Sequence, residues 1–169
     1  MPNLTHNKAS DKDEFISKMR KFLKDDSTVQ EMFAKKGLDI DIVDFIPIMF
    51  GKIDVSAKTD HGIIILNNKL LDDWLKDKKS IDQFSYGCHE CTHFIQQCFG
   101  EKGTQSASDG SYLDNPYEQE AFQNQVKFLA DNDSEDKAIN YVDDLLDHHD
   151  VNGKDREKKK DILLSDIIL

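Results

Sequence analysis

The stretch GCHECTHFIQQ, residues 87–97, carries two superposed spacings. Through its histidines it is H-E-x-x-H, with His89, Glu90 and His93; through its cysteines it is C-x-x-C, from Cys88 and Cys91. The first spacing lets one helix face hold zinc with two imidazoles, and the second serves redox or structural-zinc chemistry. The segment Ser80 to Phe99 reads as the helix that carries the motif, with Ser80 as a cap and Gly100 as the stop. Each helical residue turns about 100°, so with His89 at zero His93 falls near 40° and Gln96 near 340°. Both imidazoles share a face. Cys88, Cys91, Ile95, Cys98 and Phe99 fall on the opposite side, where thiols read as small core residues. A structural zinc needs four ligands, usually including a second cysteine pair, and a redox dithiol sits at a helix N-terminus after a strand. Neither context is present here. With 6 His and 8 Glu in 169 residues, random ordering produces the histidine pattern about 0.01 times.

Zinc catalysis usually takes three protein ligands, so a third is expected. NPYEQEAFQNQVKFL, on the next helix, offers Glu118 and Glu120. With Glu118 at zero, Phe122, Val126 and Leu129 fall within about 80° of it, whereas Glu120 lies near 200° beside Asn124 and Lys127. A carboxylate in an apolar stripe is costly unless a cation compensates it. Glu118 is therefore preferred over Glu120 as the third ligand of a single zinc ion.

Over roughly residues 60 to 130 the chain resembles the gluzincin-like zincins, in which H-E-x-x-H is completed by a glutamate on a following helix. HECTHFIQQ is similar to the H-E-L-T-H-x-x-Q-Q segment of small zincin domains in phage-like and contractile-injection proteins. EQEA is similar to the E-x-x-A of ImmA/IrrE-type peptidases, whose first glutamate, matched by Glu118, is the ligand. Two positions depart: Cys91 replaces the usual aliphatic residue, and Phe122 stands where several relatives carry an acid or amide that supports a histidine. The resemblance implies a peptidase fold and zinc-dependent proteolysis with Glu90 as general base on a peptide or protein substrate. It also implies a tyrosine upstream of the ligand glutamate, which Tyr112 matches; Tyr117 is the nearer alternative, and both also read as loop aromatics. The strand IIIL, residues 63–66, is expected to offer its edge to a peptide. The alternative function is a catalytically silent zincin-fold module that binds metal or a partner.

The rest of the chain bounds these readings. A length of 169 residues fits one domain, with N-terminal helices over 10–36, a core over about 40–150 and a C-terminal helix over 154–169. The fold class expected is α+β, mostly helical, with a small sheet and the motif on a helix. A net charge of −11 argues against a nucleic-acid partner, which calls for clustered Lys and Arg. No apolar run approaches the roughly 20 residues that span a bilayer. The N-terminus MPNLTHNKASDKDE lacks the apolar core of a secretory signal and reads as cytoplasmic, although a mature form would read the same.

Ser10 is expected to cap a first helix with Phe15, Met19 and Leu23 inward, and Ser27 or Thr28 a second that Gly37 ends. Two β-prone runs follow within 45–66, separated by a polar connection, with Pro47 favouring an edge. Helices over 69–78, Pro116–Asp131 and Ser134–His149 and a loop over 100–115 complete the reading. DHHDVNGKD, residues 147–155, has a calcium-like D-x-N-G, but His148 and Lys159 would occupy the first and last ligand positions, so it reads as a helix end. His148 and His149 suit a helix C-terminus, and His61 reads as structural or exposed. The eight acids of residues 131–150 read as a solvated face able to attract a basic partner. If the cysteines are core residues, Cys88→Ala and Cys91→Ala will leave zinc content unchanged and lower only stability; elemental analysis and thermal melts of both variants check this.

Overall fold

The computed structural model describes residues 9–101 and 110–167, and the fold is α+β, mostly helical, with one three-stranded sheet. Helix α1 (Ala9–Asp25) buries Phe15, Met19 and Leu23. It already begins at Ala9, so Ser10 lies inside its first turn rather than at the cap. Helix α2 (Ser27–Lys35) is capped by Asp26, whose carboxylate accepts from Val29 N at 3.0 Å, one residue ahead of the expected serine. Gly37 then takes φ +68°, the left-handed conformation that stops a helix without a Cβ penalty.

The sheet comprises β1 (Ile48–Gly51), β2 (Ala57–Asp60) and β3 (Ile63–Asn67) in the order β1-β3-β2. β3 runs parallel to β1 and antiparallel to β2. AKTD, residues 57–60, expected to be connection, is instead a strand. His61 and Gly62, at φ 50° and 77°, make the two-residue turn whose twist folds β2 back along β3. Pro47 immediately precedes the edge strand β1, as expected, and its carbonyl accepts from Ile64 N at 2.9 Å. IIIL lies in the central strand, so both its edges are already paired and it has none to offer a peptide. Among the described residues, the edges not paired to another strand belong to β1 and β2.

Asn67 caps α3 (Asn68–Lys76), and a 3-10 turn (Asp82–Phe84) leads into α4 (Ser85–Cys98). The motif helix thus starts five residues later than expected; the Ser80 hydroxyl caps only the turn, accepting from Asp82 N at 3.3 Å. Gly100, at φ +73°, stops it as predicted. A 3-10 turn (Gly110–Asp114) precedes α5 (Pro116–Asn132), with proline in its first turn, then α6 (Glu135–His148), capped by Ser134, and α7 (Gly153–Leu163). No helix among the described residues is long and apolar enough to cross a membrane.

Two apolar clusters flank this framework. In the first, Phe15 meets Phe84, Phe50 and Trp74 edge-on at centroid distances of 5.0, 5.2 and 5.3 Å. In the second, Phe122, Val126 and Leu129 of α5 pack against α6 and α7. The basic run of α7 answers the acids of α6: Arg156 reaches Asp147 at 2.6 Å, and Lys160 reaches Asp143 at 2.8 Å. Part of the acidic face is therefore a docking surface for the last helix.

Gly87 lets α4 approach α1 closely. A Cβ there would lie 2.7 Å from Met19 Sδ and 3.2 Å from Leu23 Cδ1, both in fully buried side chains with little room to move. Gly87→Ala is expected to lower unfolding stability by about 1–3 kcal/mol through overpacking, despite the better helix propensity of alanine; a urea titration of the variant measures it.

Candidate metal centre

α4 presents two faces. Cys88, Cys91 and Ile95 enter the first core, while His89 and His93 face α5 one turn apart, with their Nε2 atoms 3.2 Å from each other. α5 begins directly opposite. Asn115 caps it by accepting from Tyr117 N at 2.9 Å and from Glu118 N at 3.2 Å. Glu118 consequently sits in the first turn, where the helix dipole favours an anion. Its Oε1 lies 2.7 Å from His93 Nε2 and 3.4 Å from His89 Nε2. One ligand atom from each of His89, His93 and Glu118 falls within 4.8 Å of the others, so the group could hold a metal ion.

The rings are oriented from behind by two glutamines. His89 Nδ1 is 3.0 Å from Gln125 Oε1 and His93 Nδ1 is 2.8 Å from Gln96 Oε1. The remaining contacts fix which end of each amide faces its ring. Gln96 Nε2 donates to the Tyr117 carbonyl at 3.0 Å, and Gln125 Nε2 donates to Ser85 Oγ at 3.1 Å. Ser85 Oγ in turn donates to the Asp82 carbonyl at 2.6 Å, and the Tyr141 hydroxyl donates to Gln125 Oε1 at 3.1 Å. An amide oxygen only accepts, so both Nδ1 atoms carry protons, and the Nε2 atoms are left facing the cluster, where each can hold either a proton shared with Glu118 or a cation. Gln125 is absent from the sequence-based reading, although it lies near Glu118 on the same wheel, at about 340°. It supplies the support that Phe122 cannot; Phe122 instead packs its ring edge-on to His89 at 4.5 Å.

Burial works against the charge on Glu118, but hydrogen bonds from His89 and His93 outweigh it and hold the carboxyl at about 2. For His93 burial again opposes the charge, and the hydrogen bond to Glu118 overcomes it, raising the imidazole to about 9. The buried carboxylate thus depends on positive charge at this spot, from a proton or from a cation.

Glu90 stands beside the cluster rather than in it. Its Oε1 accepts from Thr59 Oγ1 of β2 at 2.9 Å, and its Oε2 lies 4.0 Å from His89 Nε2. Tyr112, in the 3-10 turn before α5, stacks on His149 at 5.3 Å and meets Phe122 edge-on at 6.0 Å. Burial, and then the Glu118 charge beside it, push its hydroxyl well above the ordinary tyrosine value. Tyr117 contributes its carbonyl to Gln96 and does not line the cavities at the cluster, which Tyr112 does. Glu120 is exposed and accepts from Gln96 Nε2 at 3.1 Å.

Cys88 and Cys91 are buried away from the histidine face; desolvation raises both thiols, Cys91 to about 12. Cys98 and Phe99, expected in the core, are exposed. The final turn of α4 extends past the packed layer, and Phe99 lies under the Lys36 ammonium at 5.1 Å instead. His61 is exposed in the β2–β3 turn, paired with Asp60. His148 occupies the last turn of α6, as expected of a cation-capable side chain, whereas His149 is buried against Tyr112.

No family model, curated protein or solved structure matches this chain. Fold and site together define a mostly helical α+β protein with a buried His-His-Glu group fit for a metal ion. Glu118→Ala is expected to weaken metal binding severely, by removing one of three ligands, whereas Glu120→Ala will change stability by no more than about 0.5 kcal/mol. Zinc titrations of both variants decide between the glutamates; loss of metal from Glu120→Ala alone would reverse the assignment.

Proposed function

We propose that the chain is a zinc-dependent metallopeptidase, with His89, His93 and Glu118 holding the ion and Glu90 acting as general base. The observation that carries this reading is the convergence of the two Nε2 atoms and the Glu118 carboxylate within 4.8 Å of one another, with each ring held from behind by an amide. Two imidazoles and a carboxylate match the donor set of catalytic zinc and leave a fourth position for water. When bound, zinc would lower the pKa of that water toward about 7.

Glu90 takes the water proton and passes it to the leaving amine. Held by Thr59 and 4.0 Å from His89 Nε2, its carboxylate stands beside the ligand set without belonging to it, which supports the role of base over that of ligand. Tyr112 donates its hydroxyl to the carbonyl oxygen as negative charge develops there, and its high pKa keeps the proton available for that bond.

The substrate backbone lies along β2. Ser56 O accepts from Asn67 N of β3, so by antiparallel alternation Ala57 and Thr59 direct their backbone groups away from β3. Gln97 already occupies the Thr59 carbonyl at 3.0 Å, leaving both Ala57 groups and the Thr59 N–H for an extended peptide beside Glu90.

Glu90→Gln is expected to keep one zinc per chain and to lose activity on unstructured peptides by about 10²–10⁴-fold. Metal analysis and cleavage assays on the same preparation check both halves. Unchanged turnover in that variant would remove Glu90 from the mechanism. A zinc-loaded wild type that cleaves nothing would favour the silent interaction module.

A further inference from the structure

Beside the cluster, on the side of His89 and Glu90, opens a cavity of about 980 Å³. One side of it is aromatic and apolar, formed by Tyr86 and Tyr141, whose rings meet edge-on at 6.2 Å, together with Phe122, Leu145 and Val55, and the rest is polar, with His148 and His149 at the end of α6. Its rim is acidic: Asp54 stands on one side, before β2, and Asp144 and Asp150 stand on the other, at the end of α6. No lysine or arginine lines it among the described residues.

The acids of α6 divide by direction. Asp143 and Asp147 turn toward α7 and are paired with Lys160 and Arg156. Asp144, on the cavity side, has no ion-pair partner among the described residues, and neither do Asp54 and Asp150. Docking of α7 therefore accounts for one part of the acidic run and leaves the rim carboxylates without a lysine or arginine partner among the described residues, with His148 and His149 the cation-capable groups beside them. All three carboxylates are exposed at the cavity mouth, so they act on a cation as a shared field that salt screens rather than as a buried pair.

We propose that this cavity binds a lysine or arginine side chain of the peptide substrate, immediately beside the position where the bond is cut. The proposal rests on the peptide-binding reading of the same site. A long cationic side chain has the matching anatomy: its methylene stem lies against Tyr86, Phe122 and Leu145, its charged head faces the tyrosine rings, and the rim carboxylates complete the field. Asp54 lies on the segment that runs into β2, so a strand paired with Ala57 passes directly over the cavity mouth.

Binding and cleavage are measured separately so that the two readings can fail independently. Zinc-loaded Glu90→Gln protein is titrated with fluorescent peptides identical except for one residue, which is lysine, arginine, norleucine or glutamate. Lysine and arginine peptides are expected to bind about tenfold tighter than norleucine, with glutamate weakest, and the preference should shrink as salt rises. In a background that also carries Asp144→Asn and Asp150→Asn, the ratio of lysine to norleucine binding should fall toward one. Equal binding of all four peptides, a preference for norleucine or glutamate, or no binding of any overturns the proposal. Wild-type protein that retains the cationic preference but cuts none of the peptides would overturn the peptidase reading alone.

Discussion

The arrangement turns on one buried carboxylate. Glu118 is 4 % exposed, and an unpaired ion at such depth costs several kcal/mol even after relaxation. Three features offset that cost together: the Asn115 cap and the dipole of the first turn of α5, the His93 contact at 2.7 Å, and the second imidazole at 3.4 Å. Each depends on where α4 lies against α5. A shift of about 1.5 Å along either axis, the rise of one residue, would part the carboxylate from both rings. Packing of the two helices and electrostatics at their contact are thus one constraint rather than two.

That constraint explains why the motif helix is apolar on its other side. Cys88, Cys91 and Ile95 anchor α4 in the first core, Gly87 allows α1 within contact distance, and Thr92 returns its hydroxyl to the Cys88 carbonyl at 3.0 Å. Small residues at these positions keep the helix close to its support. The histidines are then held by a rigid element instead of a loop, as a site with fixed ligand geometry requires. α5 is anchored likewise from both sides, with Phe128 in the first cluster and Val126 and Leu129 in the second.

The features legible in the sequence are those fixed by helical periodicity. The shared face of His89 and His93, the inward position of Glu118 and the outward position of Glu120 follow from about 100° per residue, and the structure has them so. Features set by partners distant in sequence were not legible. AKTD has little β propensity of its own and becomes strand β2 because a two-residue turn returns it to β3 and Thr59 bonds Glu90 across 31 positions. IIIL is expected to offer an edge, yet it is central because strands pair on both sides of it. Ser80 is a reasonable cap whose helix starts at Ser85, since residues 82–84 wind more tightly first. Cys98 and Phe99 share the core azimuth but lie beyond the end of the layer that would cover them; a wheel carries angle and not axial depth.

Gln96 and Gln125 show how the same chemistry can be reached without the expected residue. Phe122 occupies the position at which a polar side chain supporting a histidine is expected from the sequence. One turn on, Gln125 fills that role, and its amide is itself held by Ser85 and Tyr141. An amide oxygen accepts from an imidazole N–H as a carboxylate does, but it adds no negative charge. Glu118 is consequently the sole anion among the cluster and its supports, with Glu90 standing apart on Thr59. A divalent ion held there by His89, His93 and Glu118 would keep a net positive charge. With amides in contact with the rings from behind, and the Glu120 carboxylate reached only through Gln96, geometry and charge are controlled by different side chains. The amides orient the imidazoles, while Glu118 and Glu90 set the electrostatics that an ion and its water would meet.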